Sequence, residues 1–181
     1  ALAHHQDDNA ETFFLHLARG SGLRGLGGIY PVNGMYIRPL LCVGRKEIED
    51  YLKGREMPYC IDATNMEDAY MRNRIRNHVI PYFKENINEK TVEHMNRSMD
   101  QLREIWDYME RQTESAYQIC TAQNGEKICI HAEAYHRQER LIRKMILRKA
   151  LALVAEHEKD LEQVHVEKLE GLFEKQVGKR L

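Results

Sequence analysis

Hydrophobic spacing divides the 181-residue chain into short, turn-linked elements followed by longer helical ones. The first periodic stretch runs from Asp7 or Asp8 to Gly20, with an acid to cap its start and a glycine to end it. At about 100° per residue, Ala10, Phe13, Phe14, Leu17 and Ala18 share one side, while Asp8, Glu11, Thr12 and Arg19 share the other. A strand is predicted at Met35–Leu40, then a helix at Arg45–Lys53 that turns Ile48, Tyr51 and Leu52 inward. An extended Tyr59–Ile61 leads to a loop at Asp62–Asp68, and a further helix begins near Ala69 and reaches Pro81 or beyond. From Glu89 to Ala122 the residues Val92, Met95, Met99, Leu102, Trp106 and Met109 recur at spacings of three and four, with Ala116 and Ile119 continuing the stripe. One face of a small helical bundle explains that stripe better than a coiled-coil dimer. Asn124-Gly125 marks a turn and Lys127–His131 a short strand, and two helices are expected at Glu133–Glu158 and Asp160–Lys175.

The pattern changes near residue 85, before which lie eight of the 11 glycines and all four prolines. Residues 1–85 therefore read as the tail of an α/β domain and 86–181 as a helical domain, making the chain predominantly helical. Charge is balanced, 27 Lys+Arg against 28 Asp+Glu, which excludes nucleic-acid binding by bulk charge and leaves only local basic patches. The longest uncharged run, Gly25–Ile37, is far short of the ~20 apolar residues that cross a bilayer, so no membrane span is expected. Cys42, Cys60, Cys120 and Cys129 form no CxxC pair. That argues against a zinc knuckle or redox pair, and reduced thiols point to the cytoplasm. The chain opens Ala-Leu-Ala-His-His, without an initiator Met or a leader, and is expected to be a piece of something longer.

Four segments carry candidate chemistry. In His4-His5-Gln6-Asp7-Asp8-Asn9-Ala10-Glu11-Thr12, Asp8 and Glu11 stand i,i+3 and can aim two carboxylates at one cation, a magnesium ion or a substrate ammonium. If Leu2-Ala3 ends a strand, the histidines sit where ligands bind in open α/β sheets. Helix capping by the acids is the plainer alternative. Arg19–Gly28 holds five glycines in nine residues, Gly20 to Gly28, which permits close backbone approach but lacks the Gly-Lys-Ser/Thr of a Walker loop. Arg72 and Arg76 stand i,i+4, two guanidinium forks suited to carboxylate or phosphate, unless Asp62, Glu67 and Asp68 neutralise them. Arg137–Lys149 carries six basic residues and one acid, with Arg137, Arg140, Lys144 and Arg148 in a stripe that fits a phosphate backbone or a solvated face.

Together and in this order these segments resemble the tRNA(Ile)-lysidine synthetase family. The likeness rests on Ala3–Thr12, Arg19–Leu26, the Arg38-Pro39-Leu40-Leu41 element with Arg45–Ile48, the Asp62-Ala63-Thr64-Asn65 element, and Arg72-Asn73-x-x-Arg76 leading to Val79-Ile80-Pro81. It is strong over residues 1 to about 85 and weaker beyond. The resemblance implies a PP-loop ATP pyrophosphatase domain with a Rossmann-like sheet. Its implied reaction adenylates the wobble cytidine of a minor tRNA(Ile) with ATP and Mg2+, after which free lysine displaces AMP. It also implies catalytic roles for His4, Asp8 and Glu11, and substrate binding by Arg72, Asn73, Arg76, Gly20, Ser21 and Gly22. Arg137, Arg140, Lys144 and Arg148 would bind tRNA, and no dedicated metal site is assigned.

The family's Ser-Gly-Gly-x-Asp-Ser loop, which grips ATP, has no counterpart in this sequence, so the chain alone is expected not to bind ATP productively. A truncated sheet edge would suit self-association, including a homodimer. The rivals are a PP-loop tRNA thiolase, which would need CxxC cysteines, a non-catalytic helical RNA-binding module, and a metal-dependent hydrolase on His4, His5, Asp7 and Asp8.

Overall fold

A computed structural model describes residues 1–60, 70–125, 127–155 and 163–173. The chain divides into two compact units, Ala1–Trp106 and Asp107–Leu181. Among the described residues no helix is long and apolar enough to cross a membrane. The only sheets there are two antiparallel hairpins.

The first unit is built on α1 (Gln6–Ala18). Its cap is His5, not an aspartate: the His5 ring accepts the Asp8 N–H at 3.4 Å while the Asp8 carboxylate accepts the His5 N–H at 3.0 Å. This is a reciprocal capping box, with an imidazole nitrogen in the role a hydroxyl usually takes. The buried part of α1 is Asn9, Ala10 and Glu11, and Leu17 and Ala18 are exposed, contrary to the predicted face. Cover comes from Ile75, Ile80 and Val92, which pack on Ala10 near the helix start. Leu15 still packs against this cluster, and only Leu17 and Ala18 are left to solvent. After α1 comes the single turn α2 (Leu23–Leu26).

The predicted strand at Met35–Leu40 shrinks to a two-residue hairpin, β1 (Val32–Asn33) with β2 (Tyr36–Ile37). Pro39 has no N–H for a ladder, and Pro39–Cys42 coils into a 3-10 turn instead. Leu2 is no strand but donates its N–H to Ile37 C=O at 2.8 Å, an extended lead-in beside β2. α3 (Arg45–Gly54) forms as predicted, with Ile48 and Leu52 half-buried. Tyr51 faces out, beneath the Arg55 guanidinium at 5.2 Å. Ile61 and the predicted loop Asp62–Asp68, with its Asp62–Asn65 element, lie outside the described residues.

The predicted helix through Pro81 is real but composite. α4 (Met71–Arg74) runs into a π turn, Ile75–Val79, and then α5 (Ile80–Asn86). Pro81 lacks the N–H that would meet the carbonyl four residues back, and its ring would strike that carbonyl. The turn widens, so that Ile80 N–H reaches Ile75 C=O five residues back.

α6 (Thr91–Cys120) passes from one unit into the other. Val92 and Met99 are buried in the first unit and Ala116 in the second. Ala116 continues the stripe as predicted, but Ile119 is exposed, and Thr113 and Cys120 turn inward instead. Thr113 can do so because its hydroxyl donates to Met109 C=O at 2.8 Å.

In the second unit β3 (Thr121–Asn124) pairs with β4 (Lys127–Ile130) around Gly125 at φ 62°. Thr121 and Ala122 are therefore strand, not the end of the helix. The helix predicted at Glu133–Glu158 breaks into α7 (Ala132–His136) and α8 (Arg140–Val154). Glu139 is extended at the break, and the break accompanies burial of Tyr135, which stacks on Phe173 at 4.4 Å between ring centres. α9 spans Gln163–Phe173; the remainder of the helix expected at Asp160–Lys175 lies outside the described residues. Ala116, Cys120, Tyr135, Ile146, Leu147 and Val166 form this unit's core.

Candidate active site

The first unit brings Asp8, Glu11, Arg72 and Arg76 into one ion network. Arg72 donates from Nε to Glu11 at 2.7 Å and from Nη2 to Asp8 at 3.0 Å. Arg76 grips Glu11 with both Nε, at 2.5 Å, and Nη2, at 2.9 Å, and approaches Asp8 at 3.4 Å. The i,i+3 acids of α1 thus meet the i,i+4 arginines of α4 and the π turn. Glu11 is 1% exposed, which a carboxylate tolerates only when paired and hydrogen-bonded. Its hydrogen bond to Arg76 is the main reason that guanidinium is held above its ordinary pKa. Burial opposes the shift, and the charges of Glu11, Asp8 and Asp7 add to it. The neutralising partners come from α1; Asp62, Glu67 and Asp68, the alternative partners, lie outside the described residues. Asn73 is half-buried on α4 and Arg74 is exposed.

Beside this network a cleft of about 200 Å3 is lined by His5, Asp7, Glu11, Arg45, Arg76 and Lys84 over Ile80 and Pro81. Asp7 accepts the Arg45 N–H at 2.8 Å and faces Lys84 at 3.6 Å. His5 lies 3.7 Å from Asp7 and 3.4 Å from Asp8. His4 Nδ1 is buried without a partner among the described residues. Among those residues no group of three or more acid, histidine or cysteine side chains is arranged to hold a metal ion.

The glycine-rich segment leaves the far end of α1 and returns to its start. Gly20, at φ 70°, ends the helix, and Ser21 N–H donates to His16 C=O at 2.9 Å. Gly22 caps α2, and the His16 ring bonds Gly25 C=O at 2.6 Å. The chain then runs back to Asn9, whose side-chain oxygen accepts the Ile29 N–H at 2.6 Å. Gly28 at φ 70° packs so closely that a Cβ there would collide with the Asn9 side chain and the Met99 sulfur. The part of the loop beside the Asp8 turn is therefore Gly28-Ile29, not Gly20–Gly22.

In the second unit the basic stripe is interrupted. Arg137 ends α7 and pairs with Glu133 at 2.5 Å, so it is not on α8 with the others. Arg140 and Lys144 flank the Glu170 carboxylate at 3.7 and 3.8 Å, and Arg148 is exposed.

Sequence reasoning passed over Asn96 and Arg103. Asn96 accepts from the buried Asn9 amide at 2.8 Å and donates to Gln6 and Val92 carbonyls at 3.0 and 2.8 Å. The available signal was the glycine loop itself, whose backbone needs partners once no strand supplies them. That signal names the need but not the donor.

Residues 1–83 match the PP-loop domain family. The chain is 42% identical to a tRNA(Ile)-lysidine synthase of Caldanaerobacter subterraneus subsp. tengcongensis, an alignment covering 100% of the chain and 39% of that protein. It is 36% identical to one of Clostridium perfringens over 100% of the chain and 39% of that protein. It is 38% identical to one of Geobacter sulfurreducens over 84% of the chain and 33% of that protein. The chain thus spans about two fifths of the length of the first two relatives.

Proposed function

We propose, from the premise that residues 1–83 belong to the PP-loop domain family and the whole chain is a homologue of tRNA(Ile)-lysidine synthases, that it serves in an ATP-dependent, tRNA-modifying ligase. The substrates of this reading are a tRNA(Ile) with a wobble cytidine, ATP and free lysine. The cytidine O2 attacks the α-phosphorus of ATP and pyrophosphate leaves. The neutral ε-amine of lysine then attacks C2, AMP departs with that oxygen, and the amine gives up a proton.

The observation that carries the reading is the Asp8–Glu11–Arg72–Arg76 network beside its cleft. Lysine brings two ammonium groups and one carboxylate, and these four side chains offer both complementary signs within a few ångströms. Entering lysine would exchange partners with them: an ammonium to Asp8 or Glu11, the carboxylate to Arg72 or Arg76. Binding by exchange needs no unpaired buried charge in the empty site. His4, with its buried and unpartnered Nδ1, fits a contact to the reacting base or the departing proton. Asn73 and the glycine loop would border the nucleotide.

In this reading magnesium arrives with the ATP phosphates, where one or two protein carboxylates suffice to meet it, and Asp8 and Glu11 are the carboxylates that would do so if they do not hold lysine. Residues 86–181 would hold the tRNA through Arg137, Arg140, Lys144 and Arg148. The test is lysine incorporation into a tRNA(Ile) transcript by the complete protein, with and without Asp8→Ala. The variant is expected to lose at least about a hundredfold in rate, as for a lost charge-assisted contact and its orienting role. Wild-type protein that fails to attach lysine, or a variant that keeps full rate, overturns the reading.

A further inference from the structure

Gly27–Ile29 run past the first turn of α1 without a strand partner; the Gly27 and Gly28 N–H groups turn back to the Leu23 and Gly25 carbonyls at 3.1 and 3.0 Å, and side chains must satisfy groups that these local bonds leave over. Asn9 takes the Ile29 N–H at 2.6 Å. The carbonyls are taken by arginines. Arg103 Nη1 donates to Gly27 at 2.5 Å and to Ile29 at 3.2 Å, and Arg38 Nη1 donates to Tyr30 at 2.7 Å. Arg103 is itself held on three sides. Its Nη2 is ion-paired with Asp100 on the same helix, its guanidinium lies over the Tyr30 ring at 5.9 Å, and its side chain is only 12% exposed. The fit is close enough that a Cβ at Gly27 would sit 3.0 Å from Arg103 Cγ.

A surface pair with Asp100 is worth only a few tenths of a kcal/mol, and a solvent-facing arginine would serve that purpose as well. Burial of the guanidinium against two loop carbonyls, 74 and 76 residues away in sequence, serves another. The same stretch of loop lies against Asn9, the residue after Asp8. We propose that Arg103 is a positioning residue for the reaction proposed above: from α6 it sets Gly27–Ile29 at the height where the loop meets the tRNA base, without touching substrate itself. Its planar fork matters, because Nη1 must meet two carbonyls while Nη2 meets Asp100 and the flat face lies over Tyr30. An ammonium offers no such fixed plane.

The inference rests on the lysidine reading, and its test separates the two. In the complete protein, R103M and R103K are compared with wild type in lysine incorporation, with tRNA and lysine varied separately. Amide hydrogen exchange over residues 25–31 and thermal melting are followed on the same samples. R103M is expected to speed exchange at Ile29 and to raise KM for tRNA about tenfold, the scale of charge-assisted hydrogen bonds lost. KM for lysine and the cooperative melt should stay near wild type, and R103K should recover part of the loss. Unchanged KM for tRNA, or losses in R103M and R103K that are equal and track melting, overturns the positioning role. A wild-type protein that attaches no lysine defeats the proposed reaction instead. Exchange then decides alone: acceleration confined to residues 25–31 in R103M supports Arg103 as the loop's support, and unchanged exchange removes it.

Discussion

Glu11 is the residue on which the candidate site turns. Three guanidinium N–H groups end on its carboxylate, and replacing it with glutamine removes the charge while keeping the shape. Two arginines would then face each other with Asp8 as the remaining carboxylate that meets both. Breaking a fully buried pair costs about 3–5 kcal/mol. Here Arg72 is 38% and Arg76 24% exposed, and solvent screens part of the repulsion. Glu11→Gln is therefore expected to destabilise the protein by about 2 kcal/mol, read as a lower denaturation midpoint at unchanged slope; an unaltered midpoint would show the network to be energetically idle. The sign of the pH dependence follows from Arg76. Its folded pKa is raised above the ordinary arginine value, so its contribution is fully present below that ordinary value and is lost only as pH rises through the folded one. Asp8 and Glu11 were legible as a pair from their i,i+3 spacing, and Arg72 and Arg76 from theirs. That the two pairs would face one another was not, because the contacts join residues 61 to 68 apart in sequence.

Among the elements, α1 and α6 are joined by polar as well as apolar contacts. Asn9 and Asn96 are 1% and 8% exposed and bonded to each other. Asn96 also donates to the Gln6 and Val92 carbonyls. Asn96→Ala would leave the Asn9 amide and the Gln6 carbonyl buried without those partners, at a cost of about 2 kcal/mol. In a double-mutant cycle the Asn9→Ala, Asn96→Ala protein should lose less than the sum of the single changes; strict additivity would mean that the pair is not coupled. The stripe Val92–Met99 was readable because apolar spacing reports a helix's buried face directly. Asn96 sits within it and reads as a solvent position, since a buried asparagine leaves no periodic mark. The same blindness moved the buried face of α1 toward Phe13–Ala18: Glu11 counts as polar in any pattern, whereas here its partners make it one of the least exposed residues. Pro39 and Pro81 were visible, yet only a structure tells that one ends a strand in a 3-10 turn and the other widens a helix.

At the scale of the whole chain, near-zero net charge leaves any tRNA contact dependent on where the basic groups stand free of acids. On α8 they are partly spoken for. Arg140 and Lys144 share the Glu170 carboxylate on α9 at 3.7 and 3.8 Å, separations long enough that the contacts contribute little stability, though the carboxylate lowers the local positive potential. Two opposite changes follow if this face meets a phosphate backbone. Reversing Arg140 and Lys144 to Glu removes two phosphate partners, and the slope of log K against log salt should flatten by about two. Glu170→Gln releases both cations, so tRNA affinity should rise and the salt slope steepen, while thermal stability shifts by no more than about 0.5 kcal/mol. Titrating tRNA at several salt concentrations measures both. Shifts of opposite sign in the two variants would place the phosphate contact on α8, because a helix that merely faces solvent has no reason to answer to its neighbour's carboxylate.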